Sequence, residues 1–547
     1  MIADTVILSG AMFRSLARTE TPQPGGVAIA GKHIIAVGRE ADLQPYIGPD
    51  TTVYRFGADT LLMPGFCDSH LHLDLTVAAE NGPPLRYVRS EEECVAIVKK
   101  WRQEHPDSPW VVGQGWHQSN WPHKKIPTKE LLSAAIEDVP VCLLDVDCHA
   151  AWLNQKALDV YGINAATADS EGGVIHRYAN GEPSGYIEES PSLDIIISGS
   201  EANNSDPARL RANVLATVQA FNRRGITSVM DAVDTPENYL SACTQLLSEG
   251  KLNLRLALTA LFTFDEAYFE TGSKLAAQYP SREALIHFWG YKCLMDGVGG
   301  IHTAWMTAPY ADKPDTTGYP LLNPKTMLER LLHIEKAGYG VHLHACGTRA
   351  VEYGLDMIEQ AQKAGYVTKQ RNTITHCDTV NDKDFPRFKE LGVIASLQPD
   401  MLAPTRSYED NFYPQRFGEK LMYNAWANRR IFDHAGVVSF SSDSPVTLAH
   451  PMYAIYRATQ RIHDDGTPAG GIHPEQKVSL SECLWAYTYG GAYQLGKEDL
   501  LGTLEAGKIA DITVLNRNIF TTQPQEYRSI EACLTLVEGK VVYKAGS

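Results

Sequence analysis

Through the middle of the chain, short apolar runs ending in polar residues alternate with stretches of helical periodicity. That alternation is the sequence pattern of a parallel sheet wound with helices. Eight runs are predicted as strands: Gly65–His72, Gly225–Asp231, Leu254–Leu261, Gly290–Asp296, Gly340–His344, Asn372–His376, Val393–Gln398 and Val437–Asp443. Eight strand–helix units predict an α/β fold, a TIM-like (β/α)8 barrel over residues 63–500. The two chain ends read differently. From Thr5 to about Tyr54 short apolar strands are punctuated by Gly and Lys/His turns, and Asp511–Leu515 and Cys533–Tyr543 repeat the pattern. Hairpin-like ends flanking one long middle predict that 1–62 and 501–547 pair into a single β domain.

The count leaves residues 75–204 as an insertion after the first barrel strand. It has strand-like pieces of its own, Val111–Trp116 and Val141–Asp145, and a Gly-rich segment at Gly172–Gly185. A chain of 547 residues exceeds the roughly 250–300 residues of one domain, in keeping with this division. The net charge of −16 and the lack of any basic run exclude a nucleic-acid binder. No apolar run is long enough to span a bilayer, and the N-terminus lacks the basic and apolar regions of a signal peptide. The ten cysteines are scattered, without CxxC pairs. A soluble, cytoplasmic protein with reduced thiols is expected, acting on a small molecule, with no membrane partner; a homodimer is left open.

Polar residues gather at the C-terminal ends of the runs, the face that carries the active site in such barrels. His70 and His72 end the first run, Lys292 lies in the fourth, His344 ends the fifth, His376 the sixth and Asp443 the eighth. Strand alternation puts His70 and His72 on one face, and likewise His342 and His344. Each residue alone has a plainer reading. An HxH pair is commonly structural, a lysine in an apolar run can snorkel, and Asp443 before Ser444-Pro445 suits a helix cap. Five strand ends each presenting a ligand-type residue outweigh coincidence. They point to one or two divalent metals, zinc first, with manganese, iron and cobalt as alternatives.

The segment Leu62–His72 (LMPGFCDSHLH) resembles the first-strand motif of the amidohydrolase superfamily. Gly113–Pro122 (GQGWHQSNWP), His149–Leu158 (HAAWLNQKAL), Gly181–Glu188 (GEPSGYIE) and Gly502–Asp511 (GTLEAGKIAD) resemble its YtcJ-like branch, amidohydrolase family 3. The resemblance implies a metal-dependent hydrolase barrel with a small β-sandwich made from both termini. It further implies that His70, His72 and Asp443 hold the more buried metal. Lys292 would be N-carboxylated and bridge to a second metal at His344 and His376. The family often has Gly-Asp after the fifth-strand His-Ala-x. Here Cys346 is followed by Gly347 and Thr348, which removes a carboxylate near the site.

The insertion should cap the barrel mouth. Trp116, His117, Trp121, His149, Trp152, Glu188 and Glu189 are its candidates for substrate contact, with Trp116, His149, Glu188 and Glu189 foremost. The plainer reading is that the tryptophans pack the insertion's own core. Glu188 or Glu189 is an alternative metal ligand. Asp443 is expected to shuttle a proton and His149 to assist catalysis. The resemblance sets the bridging lysine against single-metal deaminases, so cleavage of an amide or imide C–N bond by metal-activated water is expected. A mononuclear amidine or ring deaminase, or a silent scaffold homologue, is the alternative. The scaffold ranks last because all six ligand positions are filled.

Overall fold

The computed structural model describes every residue except 87, 147, 170–172, 190–205, 264–265, 367, 369–370 and 547, and the side chains of all described residues but 189, 233 and 234. Five strands open the chain: β1 (Thr5–Met12), β2 (Gln23–Ala30), β3 (His33–Gly38), β4 (Thr52–Phe56) and β5 (Leu61–Pro64). The barrel begins with β6 (Phe66–Leu71). The insertion then supplies β7 (Val111–Trp116), β8 (Val141–Asp145), β9 (Ala150–Leu153), β10 (Gly173–Arg177) and β11 (Pro183–Glu189). The barrel resumes with β12 (Ile226–Asp234), β13 (Arg255–Leu261), β14 (Ile286–Leu294) and β15 (Gly340–Ala345). It ends with β16 (Thr373–His376), β17 (Ile394–Leu397) and β18 (Val438–Phe440). Finally come β19 (Ile512–Leu515), β20 (Ala532–Val537) and β21 (Lys540–Lys544).

Both chain ends share one mixed sheet in the order β21-β20-β19-β5-β1-β2-β3, with β4 added to β1. Its interior is the cluster of Ile7, Val27, Ile29, Leu62, Val514 and Leu536. The β20–β21 hairpin turns at Glu538 and Gly539, both at positive φ, the backbone a tight two-residue turn needs. A Cβ on Gly539 would meet the Gly31 carbonyl oxygen at 2.2 Å, so no larger residue fits there.

The eight barrel strands lie parallel in chain order, β6-β12-β13-β14-β15-β16-β17-β18. They are apolar at both parities, as in Arg-Leu-Ala-Leu-Thr-Ala-Leu of β13, because helices outside and packed side chains inside bury both faces. The seam closes just past β18, where Asp443 N–H donates to His70 O (2.8 Å) and His72 N–H to Ser444 O (2.9 Å).

All eight expected runs are strands, with boundaries moved by three residues or more in the second, fourth and eighth; the second runs on to Asp234 rather than Asp231. The fourth starts at Ile286 rather than Gly290. Gly290 is an interior position, because the neighbouring backbone comes so close that a Cβ would lie 2.6 Å from Gly340 O. The eighth stops at Phe440, since Ser441–Asp443 leaves the ladder and Asp443 takes a positive φ of 54° to bond back to β6.

The insertion forms its own five-stranded sheet, β10-β11-β9-β8-β7. One face packs Trp116, Trp121 and Trp152 against Cys94, Val98 and Trp101 of the helix Glu91–Glu104. The other carries Val112, Leu144, Ala151 and Ile187 and meets Leu75 and Val446, which lie just past the first and eighth barrel strands. The insertion is thereby seated on the mouth of the barrel. Among the described residues no helix is long and apolar enough to cross a membrane.

Candidate metal centre

His70 leaves β6 fully buried, with Nδ1 2.6 Å from His342 Nε2 on β15. In the tautomer where His70 donates this bond, its Nε2 lone pair faces the carboxylate of Asp443, 3.0 Å from Oδ1. His72 Nε2 lies 3.1 Å from the same oxygen. Yet Asp443 Oδ1 makes no hydrogen bond of acceptable geometry, and His72 Nδ1 is also buried without one. Two imidazole nitrogens and a carboxylate oxygen crowd together without bonding one another, as ligand atoms aimed at a common cation do. Tetrahedral Zn²⁺ with bonds of about 2.0–2.1 Å sets its ligand atoms about 3.3 Å apart, close to these spacings. The residues fit a divalent ion.

A second group lies beside it. His344 Nδ1 donates to Asp296 Oδ1 at 3.1 Å, and its Nε2 faces Cys346 Sγ at 3.7 Å. His376 Nδ1 donates to Gln398 Oε1 at 2.9 Å, and its buried Nε2 has no hydrogen-bond partner. The two rings meet edge to face at 4.4 Å. Each ring thus has a partner on Nδ1 that fixes its tautomer, as metal-binding histidines require. His376 sits at φ 72°, and such left-handed backbone on a non-glycine residue is characteristic of functional sites.

Lys292, on β14, is completely buried, with Nζ 3.3 Å from His70 Nε2. Burial, outweighing attraction from Asp443, pulls its ammonium down to about 7. Burial likewise keeps His70, His344 and His376 neutral, with lysine and histidine neighbours adding to the effect. Burial alone would raise Asp443, but the close approach of His72 and the neighbouring His376 and Lys292 hold its carboxyl down to about 2. Neutral imidazoles around an ionised carboxylate are the protonation state a metal needs.

Among the described residues of the insertion, His149 comes near this site. The His149 ring lies 6.4 Å from that of His344, over the second group, and its backbone N–H is anchored on Asp145 Oδ1 at 3.1 Å. Trp116 requires a correction. It is wholly buried inside the insertion, stacked on Trp121 at 5.4 Å, and its indole N–H donates to Leu143 O. Its ring and its only polar group are spent on the insertion's core, so it is a packing residue and not a substrate contact. Glu188 is also diverted. Its carboxylate faces His176 of the adjacent strand at 3.3 Å instead of standing open to a ligand. The Glu189 side chain lies outside the described residues. His117 stacks on Phe412 at 5.0 Å.

Sequence reasoning missed three residues that orient the cluster. His342 sits one layer deeper than His344 and supports His70, a role the HxH spacing of β15 hints at without naming its partner. Gln398 ends the seventh run and sets the tautomer of His376, and Gln494 holds Ser69 O at 2.7 Å beneath His70. Nothing local in the sequence marks Gln494.

The family model described as "Amidohydrolase family" matches residues 58–543. The Putative amidohydrolase YtcJ of Bacillus subtilis is 25% identical over 511 residues, 92% of this chain and 92% of the relative. The N-substituted formamide deformylase of Arthrobacter pascens is 24% identical over 550 residues, 95% of this chain and 94% of the relative. Among solved structures, an uncharacterized metal-dependent hydrolase from Pyrococcus horikoshii superposes with a TM-score of 0.74 at 23% identity, covering 95% of this chain and 99% of that one.

Proposed function

We propose that this chain, which belongs to the amidohydrolase family and is a metal-dependent hydrolase acting on carbon–nitrogen bonds, cleaves an amide- or imide-type bond of a small molecule at a two-metal centre. The observation that carries this reading is the ligand group His70/His72/Asp443, the adjacent His344 and His376 rings, and one completely buried lysine beside them. A carboxylated Lys292 is the link that lets both groups act together. Its neutral amine adds CO2, forming an N–C bond and releasing one proton, and the resulting carbamate offers two oxygens where the ammonium offered none. Zinc is the default ion for this imidazole and carboxylate set. Divalent ions there supply ionised water near neutral pH and polarise a carbonyl.

The chain's own residues do the rest. Asp443, ionised and central, takes the proton of the attacking water and returns it to the departing nitrogen. His149 is positioned to donate a hydrogen bond to the carbonyl oxygen as negative charge develops on it. The insertion, seated across the mouth, excludes bulk water and selects the substrate. The A. pascens relative, named for deformylation of N-substituted formamides, makes simple N-acyl amines the first compounds to assay.

The test is His149→Ala against such a panel. The variant is expected to lose roughly 10²-fold in kcat/KM while elemental analysis finds its metal unchanged. Normal turnover would make His149 a packing residue, and lost metal would make it a ligand.

A further inference from the structure

The turn after β15 carries a thiol into the centre. Cys346 is buried, and its Sγ lies 3.7 Å from His344 Nε2, the ring nitrogen opposite the one that Asp296 holds. Asp296 explains the placement. Its Oδ1 accepts from His344 Nδ1 and Cys346 N, both at 3.1 Å, and its Oδ2 accepts from Trp305 N and Gly347 N, both at 2.8 Å. With two donors on each oxygen the carboxylate is saturated, so it serves as a clamp rather than a ligand, although it lies within 4.8 Å of the same atoms. The clamp fixes the His344 ring and the Cys346 backbone as one unit. Across from them, His376 Nε2 is buried and unpartnered, in a ring 4.4 Å from that of His344. The His344 nitrogen and the sulfur therefore face each other beside the His376 ring, at the position where the family pattern's following carboxylate is replaced by Thr348. The Thr348 hydroxyl is spent on Thr307 and Met306.

We propose that Cys346 Sγ is a protein ligand of the ion held by His344 and His376. That position is then a nitrogen–nitrogen–sulfur site, while His70, His72 and Asp443 form a nitrogen–nitrogen–oxygen site. This rests on the two-metal reading above. On binding, the S–H bond breaks, its proton leaves to solvent and a sulfur–metal bond forms. A thiolate is softer than a carboxylate, so this position favours zinc, cobalt or cadmium over manganese or magnesium. The competing role for the thiol is hydrogen-bond donor to Asp378, which it also faces.

The experiment is a Co²⁺ titration of metal-stripped full-length protein, followed by absorption spectroscopy and by sulfur–metal scattering in X-ray absorption. The wild type should bind two equivalents and develop a sulfur-to-cobalt charge-transfer band in the near ultraviolet. Cys346→Ser should lose the band and bind one of the two equivalents at least tenfold more weakly, with Cys377→Ser, a buried neighbour, unchanged. Two equivalents bound by wild type without sulfur scattering, or a band that survives Cys346→Ser, would overturn the proposal and leave the thiol to Asp378. The wild-type spectrum decides this even if the variant fails to fold. A single equivalent with a band that Cys346→Ser removes would keep the sulfur ligand and sink the two-metal reading. A single equivalent without a band would sink both.

Discussion

Asp443→Asn is expected to lower kcat by about 10³-fold or more, because it removes a general base worth about 10²–10⁴ and weakens a metal ligand in one step. The substitution keeps the size and shape of the side chain, and its backbone bond to His70 O is untouched. What changes is charge. Asp443 Oδ1 is the meeting point of His70 Nε2 and His72 Nε2, and an amide there presents either a weaker oxygen or an N–H group that opposes them. Steady-state kinetics at saturating metal, with elemental analysis of the same sample, separate the two effects. Turnover within tenfold of wild type would remove Asp443 from the chemistry. The sign of the pH dependence follows from the same geometry. The Asp443 carboxyl is held low, at about 2, so its charge and the attractions it makes are present at neutral pH and are lost only as pH falls toward that value.

Lys292→Ala is expected to cost roughly 10²–10³-fold in kcat, the equivalent of several kcal/mol of transition-state stabilisation at 1.36 kcal/mol per tenfold. It should also release one metal equivalent. Lys292 is the sole lysine among the eight barrel strands, and its Nζ stands beside His70 Nε2, with no water shell to keep it charged. If a carbamate on this nitrogen holds the ions together, a short-chain carboxylic acid entering the vacated volume should restore part of the rate. Lys292→Arg should not be rescued, because it fills the space with a permanent cation. A Lys292→Ala protein that keeps both ions and its rate would transfer the bridging role elsewhere, with Glu189 next to be tested.

The barrel was legible because its strands are buried on both faces, and eight apolar runs separated by helical periods have few other solutions. Boundaries failed where backbone contacts decide them. Gly290 looks like a strand start and is an interior close approach to Gly340, and Ser441–Asp443 looks like strand and bends back to β6. The metal-ligand candidates were legible because strand ends of such barrels share one mouth. Their supporting partners were not, because each is a tertiary contact. Asp296 reaches His344 across 48 residues, and His342 reaches His70 across 272. Trp116 misled for a simpler reason. An indole in a loop-rich insertion can equally line a pocket or fill a core, and only the neighbouring Trp121, Trp152 and Tyr186 rings settle which. Cys346 was noted for the carboxylate missing after it, while its own sulfur became significant only through its distance from His344.

Metal content bears most directly on the two-metal hydrolase. Protein purified without chelators should contain about two equivalents of divalent metal per chain, lose hydrolysis of the N-acyl panel when stripped, and regain it with zinc or cobalt. A metal-free preparation that remains fully active would contradict it.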